Sequence, residues 1–222
     1  RTLAEATKLR DSRATASSLL DLLDLAPISY RWQLPERDEL ARLIDAAGIR
    51  WGLDAQHRAN QGLSGIAQNT WARGLDRLLA GLALAPGSTA LPISGVDAVN
   101  TSELELIGSL TEVFTRLRRY AATAESTTIP EWVARARRLL EEHIDLPPGE
   151  NFLLQEATFR LAQLAEEGAS SPVRVTASDF TRLLEQLAAE PTSRMVTGNG
   201  NLTVIAPGEL KGVGFPVVVL LG

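Results

Sequence analysis

The run GIRWGLDAQHRANQGLSGIAQNTWARGLDRLL, residues 48–79, gathers the side chains in this sequence best suited to chemistry with a planar or anionic ligand. Arg50, Trp51, Arg58, Gln68, Asn69 and Trp71 fall in a glycine-containing stretch between two helical patterns, and Arg73 follows. Indoles stack on nucleobases, while guanidinium and amide groups bond phosphates, and loops commonly carry such contacts. Arg50, Trp51, Arg58, Asn69 and Arg73 are therefore candidate contacts to DNA or to a partner. The same residues also suit a structural role. Trp51 and Trp71 can anchor the loop to a core, and Asp54 and Arg58 can cap short helices. For Trp71 the structural role is the stronger reading, because its helix carries a continuous apolar stripe.

Other chemistries find no support. There is no G-x-x-x-x-G-K-[ST] phosphate loop and no G-x-G-x-x-G after a strand, so no nucleotide cradle is expected. GNGN at Gly198–Asn201 reads as a turn before a strand. No G-x-S-x-G elbow occurs, and His57 and His143 lack neighbours that would make a triad. His143 ends a helical pattern, where a cation suits the carbonyl ends. With no cysteine and two histidines, neither a disulfide nor a zinc site is expected. The sequence calls for no catalytic residue, cofactor or metal. Arg116/Arg118/Arg119 and Arg135/Arg137/Arg138 could form a phosphate-binding ridge. Arg137–Glu141 and Arg138–Glu142, however, have the spacing of ordinary helix ion pairs.

These groups need a scaffold, and periodicity supplies one that is mainly α. The 222 residues are 45% hydrophobic and 22% charged, as in a globular chain. The net charge of -5 argues against a nucleic-acid binder that uses its whole surface, but leaves room for a local basic site. No window reaches the roughly 18 apolar residues of a membrane span, and a cytoplasmic location is expected. Thr15 or Ser17 caps a helix over TASSLLDLLDL that Pro27 stops. A second helix runs from Pro35 to Gly48. A third starts at Asn69 and aligns Trp71, Leu75, Leu78, Leu79 and Leu82. Capping boxes at Ser102/Glu105 and Thr128/Glu131 open two more, and Asn151 and the Ser178 region open the last two. About seven helices are expected in all. Leu202–Ala206 and Phe215–Leu221 read as strands, the second as one buried on both faces. Such a strand needs a sheet that the helical body does not offer. We therefore expect it to fold back on the bundle or to mediate self-association. Removing residues 201–222 should leave the bundle folded and more monomeric.

AAGIRWGLDAQHR followed by QNTWARGLDRLLAGLAL resembles the RecC family, the gamma chain of exodeoxyribonuclease V. SRATASSLLDLLDLAPISYRW and the closing LTVIAPGELKGVGFPVVVLLG add support, whereas residues from about 87 to 200 match in helical character alone. The closing loop departs from the family pattern at Lys211, Gly214 and Pro216. LKGVGF is similar to a strand-loop-strand motif of active superfamily 1 helicases, in which a Glu and an upstream His link nucleotide to DNA. Gly214 and Gly208 occupy those positions here, and neither can do so. The resemblance implies a helicase-like fold without an ATPase. Residues 1–195 would form a helical accessory domain of the helicase 2B type. Residues 196–222 would begin a degenerate RecA-like α/β segment, its β remnant containing Lys211, a further candidate contact.

The implied role is non-catalytic: DNA handling and scaffolding within a RecBCD-type complex that acts on double-strand DNA ends in recombinational repair. Its partners would be DNA, a helicase-nuclease subunit and a second helicase subunit, with no membrane. Two alternatives remain. One is the accessory domain of an AddB-type or active superfamily 1 helicase, which would have a phosphate loop upstream. The other is a free-standing helical interaction module.

Overall fold

In the computed structural model, which describes residues 2–85, 87–88, 92–122, 126–189 and 219, the polypeptide opens with α1 (Thr2–Thr7) and a 3-10 turn, Lys8–Arg10. Thr15 then accepts a hydrogen bond from the Ser18 N–H and starts α2 (Ala16–Leu23), which buries Leu19, Leu20, Leu22 and Leu23. Pro27 does more than stop that helix. It lies in the first turn of α3 (Ala26–Trp32), where a missing N–H is harmless. α4 (Arg37–Ala46) ends on Gly48, at φ +71°. The Gly48 N–H bonds Asp45 O at 2.9 Å and the Ile49 N–H bonds Ile44 O at 3.1 Å. This is the pair of bonds of a Schellman cap, and its left-handed residue favours glycine. α5 (Ala55–Asn60) and α6 (Trp71–Ala83) follow.

A 3-10 turn, Thr101–Glu103, leads into α7 (Leu104–Ala121). The capping box here is Asn100 with Glu103, not Ser102 with Glu105. Asn100 takes the cap position because its side chain meets the Ser102 N–H, while Glu103 returns to the Asn100 N–H. α8 (Ile129–His143) begins after Thr128, whose side chain makes no cap bond. Glu131 is instead bonded by the Thr127 hydroxyl, so the expected Thr128/Glu131 box is not formed. α9 (Asn151–Gly168) and α10 (Ala177–Ala189) complete the helices. β1 (Ser126–Thr127) pairs antiparallel with β2 (Val175–Thr176), Ser126 opposite Thr176.

The described residues thus contain ten α-helices and one two-stranded sheet, so the fold is mainly α. α1, α3 and α5, with six or seven residues each, were not expected from periodicity. The strands expected at 202–206 and 215–221 lie outside the described residues.

One core joins all of these helices but α5. Trp132 stacks on Phe180 with ring centroids 5.5 Å apart, and its indole N–H bonds Val175 O at 2.9 Å. This ties α8 to α10 and to β2. The Thr7 and Thr181 hydroxyls meet at 2.7 Å, joining the first helix to the last. Each fully buried Leu or Phe adds about 1.5–3 kcal/mol of transfer free energy to such a core. No described helix is long and apolar enough to cross a membrane.

Candidate nucleic-acid interface

Residues 49–53 form a strip from the α4 cap to the start of α5, held on both sides by backbone bonds. On one side Ala16 N–H donates to Arg50 O (2.8 Å) and Gly52 N–H to Arg13 O (2.9 Å). On the other, Arg50 N–H donates to Asn69 O (2.9 Å), Trp71 N–H to Gly52 O (3.0 Å) and Ala72 N–H to Leu53 O (2.9 Å). The strip is thereby fixed between the N-termini of α2 and α6. Asn69 accepts the left-handed φ of +59° required just before the Thr70 cap.

Trp71 faces inward, 1% exposed, stacked on Phe114 at 6.1 Å and donating its indole N–H to Ala14 O at 3.2 Å. Trp51, on the strip, is half-buried. The guanidinium carbons of Arg13 and Arg58 lie 4.6 and 4.4 Å from its ring centroid. Both distances are within the range of cation–π attraction. Arg58 is 4% exposed and donates to Trp51 O at 2.9 Å. Burial pushes its pKa below the ordinary value. Gly52 makes room for it: at φ +78°, a Cβ there would lie 2.9 Å from the Arg58 Cγ and Nε. Arg58 is therefore a buried strut beneath the indole, and Arg13 is the exposed cation on it.

The remaining candidates are dispersed. Arg50 is exposed and paired with Asp45 at 2.7 Å. Asn69 is exposed and touches the strip through its backbone. Arg73 reaches the other way, donating to Pro92 O at 3.1 Å. Lys211 lies outside the described residues. The first arginine ridge does not form, because its members turn apart: Arg116 pairs with Glu112 at 2.7 Å, and Arg118 meets Asp54 at 3.6 Å. In the second set Arg135 lies over Trp132 at 4.9 Å, and neither Arg137–Glu141 nor Arg138–Glu142 is an ion pair among the described residues. His143, expected as a helix-end cation, is 1% exposed. Burial first, and then Arg116 and Arg31, push its pKa down to about 4. It is neutral at pH 7, so Glu142, 4.0 Å away, is not its ionic partner. Among the described residues no group of three or more His, Asp or Glu could hold a metal.

A family model for the fourth domain of the RecBCD enzyme subunit RecC matches residues 1–192. The chain belongs to the RecC family. It is 32% identical to the RecBCD enzyme subunit RecC of Mycobacterium tuberculosis over 99% of its length. Identity is 30% over 99% to that of Mycolicibacterium smegmatis and 27% over 96% to that of Escherichia coli. In each case the match covers 20% of the relative, so the chain spans about one fifth of their length. Within this RecC-family chain, Arg50, Trp51, Arg58 and the Asn69 backbone are brought together, while Arg73 points elsewhere. The structure adds Arg13, which sequence reasoning missed. Its only signal was a place just before the Thr15 cap, and nothing local pairs that segment with Trp51.

Proposed function

We propose that this chain is a non-catalytic, DNA-handling and scaffolding part of a RecBCD-type exodeoxyribonuclease V complex acting on double-strand DNA ends in recombinational repair. Its partners in that complex would be a helicase-nuclease subunit and a second helicase subunit. Residues 1–195 would serve as the accessory domain, and residues 196–222 would begin a helicase-like segment. The observation that carries the DNA-handling part is the cationic cover on Trp51. Arg13 makes no ion pair among the described residues and is exposed over the indole. Arg50 is held by Asp45, whose side chain is 76% exposed, and by a long 3.5 Å bond to Ile49 O, and an exposed pair of that kind contributes little. A phosphate can therefore take either guanidinium at small cost, and a base can replace Arg13 on the ring. Loop 61–69, exposed throughout, adjoins the site where Ile66 O accepts from Arg58 at 3.5 Å. The scaffolding part is supported by α9, which turns Leu161 into the core and leaves Leu153 and Phe159 exposed.

Fluorescence anisotropy with a labelled single-stranded oligonucleotide tests the DNA reading. The net charge of -5 gives little steering, so we expect weak binding that falls with salt. Arg13→Ala and Arg50→Ala should each weaken it and lower the log–log salt slope by about 0.7. Binding unchanged in the double variant would contradict the proposed surface. So would nanomolar affinity that survives physiological salt.

A further inference from the structure

α9 carries phenylalanines on the side where a peripheral helix is expected to be polar. On its inner side Leu161 and Gly168 are buried, and Leu154, Ala157, Leu164 and Ala165 pack on the core. Gly168 lets that end of α9 lie close to the start of α8, since a Cβ there would be 2.8 Å from Ile129 Cβ. The helix is thus fixed in place, and its opposite side is a defined surface. Seven residues make almost two full turns, about 10.5 Å along the axis. Phe152, Phe159 and Glu166 therefore follow one line down that outer side. Phe159 is 63% exposed and Phe152 38%, with Leu153 beside them at 42%. Amphipathic surface helices place polar residues at such positions, and exposed apolar patches mark contact sites.

The acidic end of the line selects the partner. Glu166 and Glu167 are exposed, and neither side chain makes an ion pair or hydrogen bond among the described residues. Arg160, the cation of α9, is engaged by Glu156 at 2.8 Å and donates to Leu187 O at 2.5 Å. The two free carboxylates repel phosphate, so this side is not a further nucleic-acid contact. A second copy of α9 fits poorly as well. Laid parallel it would set Glu166 on Glu166, and laid antiparallel across Phe159 it would set Glu166 on Phe152. A helix with apolar anchors two turns apart, and a Lys or Arg two turns further on, meets all three positions of the line.

We infer that the outer side of α9 is a docking surface for a basic amphipathic helix of a partner subunit. Phe152 and Phe159 lie against the apolar residues of that helix, and Glu166 and Glu167 meet its cations. The inference rests on the scaffolding reading above and names the partner's chemistry. It uses none of the residues of the Trp51 surface.

The probe is a fluorescein-labelled, alanine-based helical peptide with two leucines spaced by two turns and a pair of lysines two turns beyond the second. A twin peptide has glutamates in place of the lysines. Anisotropy with the whole chain should show saturable binding of the lysine peptide, about tenfold or more tighter than that of its twin. Phe159→Asp should weaken that binding by about tenfold or more, and circular dichroism verifies that this surface variant folds. Glu166→Lys combined with Glu167→Lys should reverse the preference toward the glutamate peptide. Absence of saturable binding, equal affinity for the two peptides, or unchanged binding by Phe159→Asp would each overturn the inference. So would a dimer in light scattering that Phe159→Asp dissociates, since the surface would then belong to a second copy. Assembly of the parent subunit with its helicase-nuclease partner separates this inference from the reading beneath it. If Phe159→Asp abolishes assembly while the peptides fail to bind, the inferred chemistry falls and the scaffolding reading stands. If the peptides bind as expected while the Phe159→Asp subunit assembles normally, the surface stands and the scaffolding reading of α9 falls.

Discussion

Trp51 and Trp71 stand at opposite ends of one short segment, and their surroundings give them opposite roles. Trp71 is covered by Phe114 and bonded to Ala14 O, so its indole belongs to the core. Trp51 meets Arg13 and Arg58, and its edge stays at the surface. Residue type does not separate the two. What separates them is what distant parts of the chain bring: apolar α7 in one case, and the turn before α2 in the other. A loop can therefore offer an aromatic, cationic surface and stay rigid, because a second aromatic a short way along locks it to the bundle.

The largest expected effect would sharpen this contrast. Trp71→Ala should cost about 3–5 kcal/mol, the range for emptying a buried aromatic site. Trp51→Ala should cost about 1 kcal/mol or little more, since cation–π contacts near the surface contribute about 0.5–1 kcal/mol each. Urea denaturation of the two variants compares them, and equal losses would break the distinction. Next comes pH. His143 is part of the buried side, its ring 5.9 Å from that of Trp32. Its pKa falls from 6.5 to about 4 on folding, so between those values the unfolded chain binds more protons. Stability should therefore be complete above about pH 6.5 and decline as pH falls toward 4, by up to about 3 kcal/mol. His143→Gln should flatten that slope in a series of urea midpoints.

Smaller again is the junction between the strip and α6. A Cβ on Gly74 would lie 2.1 Å from Ile49 Cγ1. Gly74→Ala should cost about 1–3 kcal/mol by overpacking, and Ile49→Ala in the same chain should recover part of it. A Gly74→Ala variant of unchanged melting temperature would show that the strip is not held there. The smallest effect expected is that of removing residues 201–222, which should leave the helical circular dichroism signal unchanged. A large loss of that signal would mean that the bundle depends on those residues.

The long amphipathic helices were legible because each repeats its apolar positions over several turns: Ile107, Leu110, Phe114 and Leu117 on α7, or Trp132, Ala136, Leu139 and Leu140 on α8. α1 and α3 were not, since one or two turns hold too few positions to define a stripe, and α5 was legible only through its Asp54 cap. The same brevity hid β1 and β2, whose pairing joins distant segments. Capping was half legible. Thr15 does cap α2, but at α7 the competition between Asn100 and Ser102 is settled by geometry that the pattern S-x-x-E does not encode. For the candidate surface, Arg50, Trp51, Arg58 and Asn69 could be singled out by type, whereas the burial of Arg58 and the arrival of Arg13 could not. Both depend on Gly52 and on long-range backbone pairing.

The central claim is that nucleic acid meets this chain at Trp51 while the other indoles stay in or against the core. Fluorine NMR of the chain labelled with 5-fluorotryptophan tests it most directly, since the four tryptophans give separable signals. A single-stranded oligonucleotide added at low salt should shift the Trp51 signal and leave those of Trp32, Trp71 and Trp132 in place, with the shift reversed by added salt. An unmoved Trp51 signal in the presence of bound oligonucleotide would contradict the account.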